Sequence, residues 1–279
     1  MPEGNTLHRL AREHNRDLAG RRVRASSPQG RFAREARRLD RRLFQRADAY
    51  GKHLFHFWEG GLIVHVHLGM AGDFTRFEGP RPRPRPSVRL RLSVPDITID
   101  LIGPPTCELI SENDRQAILA RLGPDPLRRD ADPDRAWRKL KERKRAIGDI
   151  LLDQRVISGV GNIFRNEALY LTGIHPLRSA RRLTRPEWDA LWDTITALMR
   201  RALARGRIVT VDRRQKPHPR AADEPRDAFY VYQREVCRRC GSGIREFPLS
   251  GRRMFACESC QTRRPLKLRP GKAVARGIA

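Results

Sequence analysis

The sequence has no apolar run long enough to cross a bilayer, which excludes a membrane-spanning helix. Its opening residues, Met1-Pro2-Glu3-Gly4, lack the basic-then-apolar pattern of a secretory signal. The chain is therefore expected in the cytosol, with no membrane partner. Cysteine is scarce, five in 279 residues, and four of the five sit in one short stretch. That is no disulfide scaffold, and in a reducing compartment clustered thiols bind metal rather than pair. Acidic residues are also under-represented: 32 against 58 basic ones, a net charge of +26. Such an excess on a folded chain calls for a polyanionic partner, although charge alone does not separate DNA, RNA and anionic membrane. Hydrophobic residues make up 39% of the chain, enough for two or three modest domains with real cores.

The four clustered cysteines are the most specific local signal. They read Cys237-Arg-Arg-Cys240, then sixteen residues, then Cys257-Glu-Ser-Cys260. A Cys-x2-Cys turn places both sulfurs on one side of a tight loop, and two such knuckles close a tetrahedral S4 site suited to Zn2+. Between them, Ile244–Phe247 and Arg253–Phe255 read as two short strands joined by a turn at Pro248–Gly251. A hairpin this small holds no core of its own and needs the metal as a staple. From Tyr230 to Arg264 there are eight Arg against three Glu, so the predicted zinc ribbon is basic. Cys107, the odd thiol, is expected to be buried.

Elsewhere the hydrophobic period changes twice. Leu7, Leu10, Ala11, His14 and Leu18 are spaced for a helix that stops at Gly20. Pro2 and Glu3 then fall at its first turn, where proline is tolerated and an acid suits the dipole. Between Val23 and Ile110 the period is two, as in Leu62-Ile-Val-His-Val-His-Leu68, which predicts an antiparallel sandwich or barrel. Gly79–Pro86, a Pro-Arg repeat, reads as an extended cationic loop between strands. Leu122-Gly-Pro-Asp-Pro-Leu127 marks a boundary. Beyond it the period becomes 3.6. Helices are expected over Ala136–Lys144, around Ile147–Val156, around Ile163–Leu169, and over Thr184–Arg205 with a Thr184/Glu187 capping box and Gly206 as its stop. Trp188 and Trp192 belong to the buried stripe of the last. Ser158-Gly-Val-Gly-Asn162 is a sharp reversal in which Asn162 can cap the following helix, its exposed N–H groups making a phosphate seat. The same pattern equally suits an ordinary helical hairpin. Residues 213–227 are expected to form a mobile loop and residues 265–279 a basic tail.

Pro2-Glu3-Gly4, the Gly159-Val-Gly-Asn162 hairpin and the four-Cys ribbon, in this order, closely resemble the formamidopyrimidine-DNA glycosylase/endonuclease VIII family. Gly51-Lys52-His53-Leu54, His67-Leu-Gly-Met-Ala-Gly72, Gly173-Ile-His-Pro176, Val231-Tyr232 and Gln261 agree with it. Met-Pro-Glu-Gly and Leu151-Leu-Asp-Gln154 look like the endonuclease VIII branch. The resemblance implies an α+β fold: an N-terminal helix plus an antiparallel β-sandwich (2–120), a helical domain with a helix-two-turn-helix (130–228), and a four-Cys zinc ribbon (229–264).

It also implies a bifunctional DNA glycosylase/AP lyase of base excision repair, acting as a monomer on damaged double-stranded DNA with one structural zinc. Loss of Met1 would leave Pro2 as a secondary amine that attacks C1′ and forms a Schiff base, with β,δ-elimination following. Glu3 would protonate the sugar ring oxygen, and Lys52 would donate protons and contact phosphate in the elimination steps. Arg252 and Asn162 would hold the phosphates flanking the lesion. Met70 would fill the hole left by the everted nucleotide. The stretch Ile102–Leu109 lacks the Arg-x-Phe plug of the formamidopyrimidine branch, and Gly148 replaces a lysine often found there. Asn5 stands where many endonuclease VIII relatives have an acid. Oxidised pyrimidines are therefore the expected lesions. The alternatives are a purine-lesion glycosylase acting on 8-oxoguanine or formamidopyrimidine, and a non-catalytic zinc-ribbon nucleic-acid binder.

Overall fold

The computed structural model describes residues 2–79, 82–212, 214–221 and 228–264. The expected basic tail, 265–279, lies outside them. So do Pro80 and Arg81 of the Pro-Arg repeat, and Arg213 and residues 222–227 of the expected mobile loop. The chain divides into two compact units, Met1–Arg121 and Leu122–Ala279. The architecture is α+β, as the residue patterns and the resemblance predict.

In the first unit the helix-spaced apolar residues fold as α1 (Gly4–Leu18), whose Leu7, Leu10, Ala11, His14 and Leu18 are all buried. Gly20 follows with φ +76°, a left-handed conformation that glycine adopts without cost. Eight strands come next: β1 (Arg21–Ser26), β2 (Arg42–Tyr50), β3 (His53–Trp58), β4 (Leu62–His67), β5 (Asp73–Glu78), β6 (Val88–Ser93), β7 (Ile97–Ile102) and β8 (Thr106–Ile110). Every pairing is antiparallel, in the order β5-β7-β6-β1-β2-β3-β4-β8. β1 joins the two halves. Its Arg21–Val23 pair with β2, while Arg24–Ser26 pair with β6. A strand shared in this way is how a sheet folds over on itself into a sandwich. One apolar core, including Phe44, Leu54, Trp58, Val64, Leu90 and Leu101, draws on both halves and on α1. Two helices escaped the sequence reading. The first, α2 (Ala33–Leu39), buries only Ala36 and Leu39, and the second, α3 (Glu112–Arg121), buries none of its residues, so neither carries an apolar stripe to detect.

The second unit contains α4 (Pro133–Lys141), α5 (Ile147–Ile150), α6 (Asn162–Leu171), α7 (Arg185–Arg205) and a hairpin of β9 (Arg245–Leu249) and β10 (Arg252–Ala256). Helix α4 starts three residues earlier than expected because Asp132 caps it, accepting from the backbone N–H of Asp134 and Arg135. The expected helix around Ile147–Val156 is a single turn, α5, followed by irregular turns to Gly161. The capping box on α7 is present in full, and Gly206 ends the helix in the left-handed region. Trp188 and Trp192 are core residues, Trp188 donating its indole N–H to the Pro133 carbonyl. No helix among the described residues is long and apolar enough to cross a membrane.

Candidate nucleic-acid-processing site

Glu3 occupies the position just ahead of α1, with extended backbone, and its side chain does not cap the helix. It is fully buried (0% exposed), whereas Pro2 beside it is half-buried. Glu3 thus lies just ahead of α1, the position where an acid suits the helix dipole, with its carboxyl packed inside the unit. Asn5, also buried, has an Oδ1 with no hydrogen-bond partner.

Lys52 lies in the tight turn between β2 and β3, where Gly51 has φ +58°. Met70 is 68% exposed, the one large apolar side chain so exposed among the described residues. Its turn is rigid. Gly72 N–H bonds the Leu68 carbonyl at 2.8 Å, and a Cβ on Gly69 would come within 2.7 Å of the Pro105 ring. The stretch that lacks an Arg-x-Phe forms the end of β7, a short turn and β8, which pairs with β4 from Ile63 to His67.

In the second unit the four sulfurs lie within 4.8 Å of one another, with Cys237 and Cys260 at 3.8 Å and Cys240 and Cys257 at 3.5 Å. Tetrahedral zinc–thiolate bonds of about 2.3 Å require sulfurs about 3.8 Å apart. The cluster fits that ion, and none of the cysteines is in a disulfide. The two strands are joined by Ser250 and Gly251, both at positive φ, the tight hairpin geometry that favours glycine. β9 extends to Leu249, through Pro248, two residues past the expected strand end. Cys107 is half-buried, and burial pushes its thiol up to about 12.

Helix α6 carries the ribbon, and it does so with polar side chains. Asn162 donates from Nδ2 to the Arg253 carbonyl at 3.1 Å and accepts from Arg165 at 2.7 Å. Arg165, wholly buried, also bonds the Gly148 carbonyl. Asn166 accepts the Phe255 N–H at 2.7 Å. Glu167 takes the N–H groups of Tyr230, Val231 and Tyr232 at 2.8–2.9 Å, and the Thr210 hydroxyl. Burial pushes the Glu167 carboxyl above its usual range, against the pull of these donors. Asn162 thus does not cap α6: Gly161 holds that position, and the Asn162 side chain is spent on the ribbon and on Arg165. Nor does the reversal expose all its N–H groups, since Ser158 bonds the Pro124 carbonyl and Gly159 the Gln154 side chain.

The expected mobile loop is ordered over its described residues 214–221. His218 N–H bonds the Arg238 carbonyl at 2.8 Å, and Arg234 bonds the Ala221 carbonyl, so 214–221 pack on the first knuckle. Gln261 bonds the Cys257 N–H and the Ile174 carbonyl, tying the second knuckle to the Gly173–Pro176 turn. Gly148 is closely packed: a Cβ there would lie 2.7 Å from the Leu249 Cδ2 tip and 3.1 Å from the Pro176 carbonyl, so a side chain would have to push Leu249 aside. Arg252 lines a cavity of about 340 Å³ with Arg145, Asp149, Asp153, Arg155 and Ser250. Arg145 and Arg155, which pattern reading did not single out, add two cations to the place where Arg252 was expected to act. Pro2, Glu3, Lys52 and Met70 thus belong to the first unit, and Asn162, Arg252 and the cysteines to the second.

The descriptions "Formamidopyrimidine-DNA glycosylase N-terminal domain" and "Formamidopyrimidine-DNA glycosylase H2TH domain" match residues 1–102 and 122–213. Endonuclease 8 1 of Mycobacterium tuberculosis is 48% identical over 269 residues, covering 94% of this chain and 100% of that protein. The chain belongs to the formamidopyrimidine-DNA glycosylase/endonuclease VIII family. A formamidopyrimidine-DNA glycosylase of Roseiflexus sp. is 35% identical over 75% of this chain and 78% of its own length. The fold also matches a solved complex of the LlFpg protein with a THF-DNA and an inhibitor, with TM-score 0.77, 24% identity, and coverage of 94% and 100% of the two chains. Membership makes the protein a DNA glycosylase and AP lyase of base excision repair.

Proposed function

We propose that this enzyme removes oxidised pyrimidines from duplex DNA through a Schiff base on Pro2, with Zn2+ held by Cys237, Cys240, Cys257 and Cys260. The observation that carries the catalytic half is the burial of Glu3 beside the half-exposed Pro2. A carboxyl buried next to the residue that becomes the chain's amino terminus is placed to act as an acid beside the attacking nitrogen.

The chemistry follows from these two residues. With Met1 removed, Pro2 is a secondary amine; α-amino groups titrate near pH ~8, so a useful fraction is neutral in the cell. Its lone pair attacks C1′ of the damaged nucleoside as Glu3 hands a proton to the ring oxygen, and the base departs. The nitrogen is left as an iminium to C1′, which acidifies the C2′ proton. Loss of that proton expels the 3′ phosphate, and a second elimination expels the 5′ phosphate. Lys52 donates protons and contacts phosphate in these steps. Arg252, with Asn162 behind the same hairpin, holds the DNA backbone, and Met70 fills the space vacated by the everted base. Zinc when bound supplies folding energy to the ribbon, not chemistry.

Pyrimidine preference is supported by the 48% identity to a protein named Endonuclease 8 1, by a glycine at position 148 and by a β7–β8 turn without an Arg-x-Phe. Incubation with an abasic duplex and borohydride tests the catalysis. The reading expects a covalent protein–DNA band that Pro2→Gly weakens and an N-terminal tag abolishes. No band with untagged protein would leave only a zinc-ribbon DNA binder. A panel of thymine glycol, dihydrouracil and 8-oxoguanine duplexes tests the substrate, and fastest excision of 8-oxoguanine would reverse the branch.

A further inference from the structure

Two of the side chains that mount the ribbon, Asn162 and Asn166, lie one helical turn apart, so they share a face of α6. Asn162 bonds the Arg253 carbonyl and Asn166 accepts the Phe255 N–H, both on β10. The next residue in that row is Tyr170, and its partner is not backbone. Its hydroxyl oxygen lies 3.2 Å from Cys237 Sγ, across 67 residues of sequence. Tyr170 and Cys237 are both fully buried. Among the described residues this is the one hydrogen bond of that hydroxyl.

A buried phenol ordinarily bonds oxygen or nitrogen, because a neutral thiol is a weak partner. Tyr230 shows the ordinary arrangement. Its ring stacks on Tyr170 with centroids 5.6 Å apart, and its hydroxyl donates to Gln215 Oε1 at 2.9 Å and accepts the Asp212 N–H at 3.2 Å. Tyr170 meets sulfur instead. A cysteine that ligates a metal has lost its proton, so its sulfur only accepts and the phenol must donate. That makes the contact a charge-assisted bond, the stronger kind. It also answers a need. Four thiolates around one divalent cation leave an excess of negative charge, and a buried excess is costly without donors. Arg239, between the two cysteines of the first knuckle, lies 5.1 Å from the Tyr170 ring centroid, and a cation over the ring makes the hydroxyl a better donor.

We infer that Tyr170 is a positioning residue for the metal: its hydroxyl donates to the Cys237 thiolate, holds that sulfur towards the other three, and so ties α6 to the zinc site itself as well as to the backbone around it. This rests on the reading of the four cysteines as a zinc site.

The test uses the full-length zinc-loaded protein, its cobalt-substituted form, and Tyr170→Phe. Phenylalanine keeps the ring and its packing on Tyr230 and loses only the donor. Tyr230→Phe is the control, because it removes a buried hydroxyl from the same cluster that touches no sulfur. Competition with a chromogenic chelator should show Zn2+ held about tenfold less tightly by Tyr170→Phe, and within about twofold of the parent by Tyr230→Phe. A hydrogen bond lowers the energy of the sulfur lone pairs. Its loss should therefore move the thiolate-to-cobalt charge-transfer band of Tyr170→Phe to longer wavelength and leave that of Tyr230→Phe in place. An unmoved band or an unchanged affinity in Tyr170→Phe would overturn the assignment. So would the same shift in Tyr230→Phe, which would reduce the effect to a general loosening of the cluster. A parent protein that takes up no stoichiometric zinc would sink the four-cysteine site first, and the role of Tyr170 with it.

Discussion

The first unit buries mostly apolar side chains around one core. Its polar interior includes the His14–His56 contact at 2.9 Å and a buried Arg91–Asp100 ion pair at 2.6 Å. The second unit also has an apolar core, but it positions its ribbon with buried ions and amides: Arg165, Asn166 and Glu167 on one helix, an Arg178–Glu187 pair at 2.6 Å, and four thiols. The first arrangement is stable because area is removed from water. The second is specific because each buried donor or acceptor has only one place to bond, and it fails when one partner is lost. The hydrogen-bonded mount holds a small hairpin whose second strand begins at Arg252.

This contrast can be broken at several points. Removing the metal should have the largest effect, since structural zinc contributes on the order of 10 kcal/mol to domains of this size. Chelation or Cys257→Ser is expected to erase hydrogen-exchange protection between residues 237 and 261 and leave β1–β8 protected; equal protection in the ribbon after chelation would contradict it. Next comes Glu167→Ala, which strands three buried backbone N–H groups. It should destabilise the second unit by about 3–5 kcal/mol in denaturant titration, well above the cost of a surface Glu→Ala.

The first unit should be sensitive to acid in its own way. Burial holds His14 down at about 4 and pushes His56 well below its usual range. The unfolded chain therefore takes up protons first, from about pH 6.5, and stability falls as pH drops from there towards 4. The loss from His14 alone amounts to about 3 kcal/mol. A His14→Gln chain whose stability still falls as steeply over that window would remove the pair from the account. Smaller again is Arg252→Ala, expected to weaken duplex binding and reduce the slope of log affinity against log salt by about one. An unchanged slope would take Arg252 off the phosphate.

Residues whose roles follow from spacing were legible in the sequence: the cysteine pairs, the period-two strands and the Thr184/Glu187 cap all declare themselves by interval. Buried polar residues were not. Arg165 and Glu167 look like the solvated face of a helix, and only the backbone of a distant segment reveals what they bond. Asn162 is expected to be able to cap the following helix because asparagine is a favoured N-cap residue, yet tertiary bonds to Arg253 and Arg165 claim its side chain. Tyr170 and Cys237 are likewise 67 residues apart along the chain and meet only through tertiary packing.

The central claim is that the attacking nitrogen belongs to Pro2. Mass analysis of the N-terminal peptide from borohydride-trapped enzyme tests it directly. The account predicts a peptide that begins at Pro2, lacks Met1 and carries the reduced sugar adduct on its proline nitrogen. An adduct on Lys52, or a trapped peptide that still begins with Met1, would contradict it.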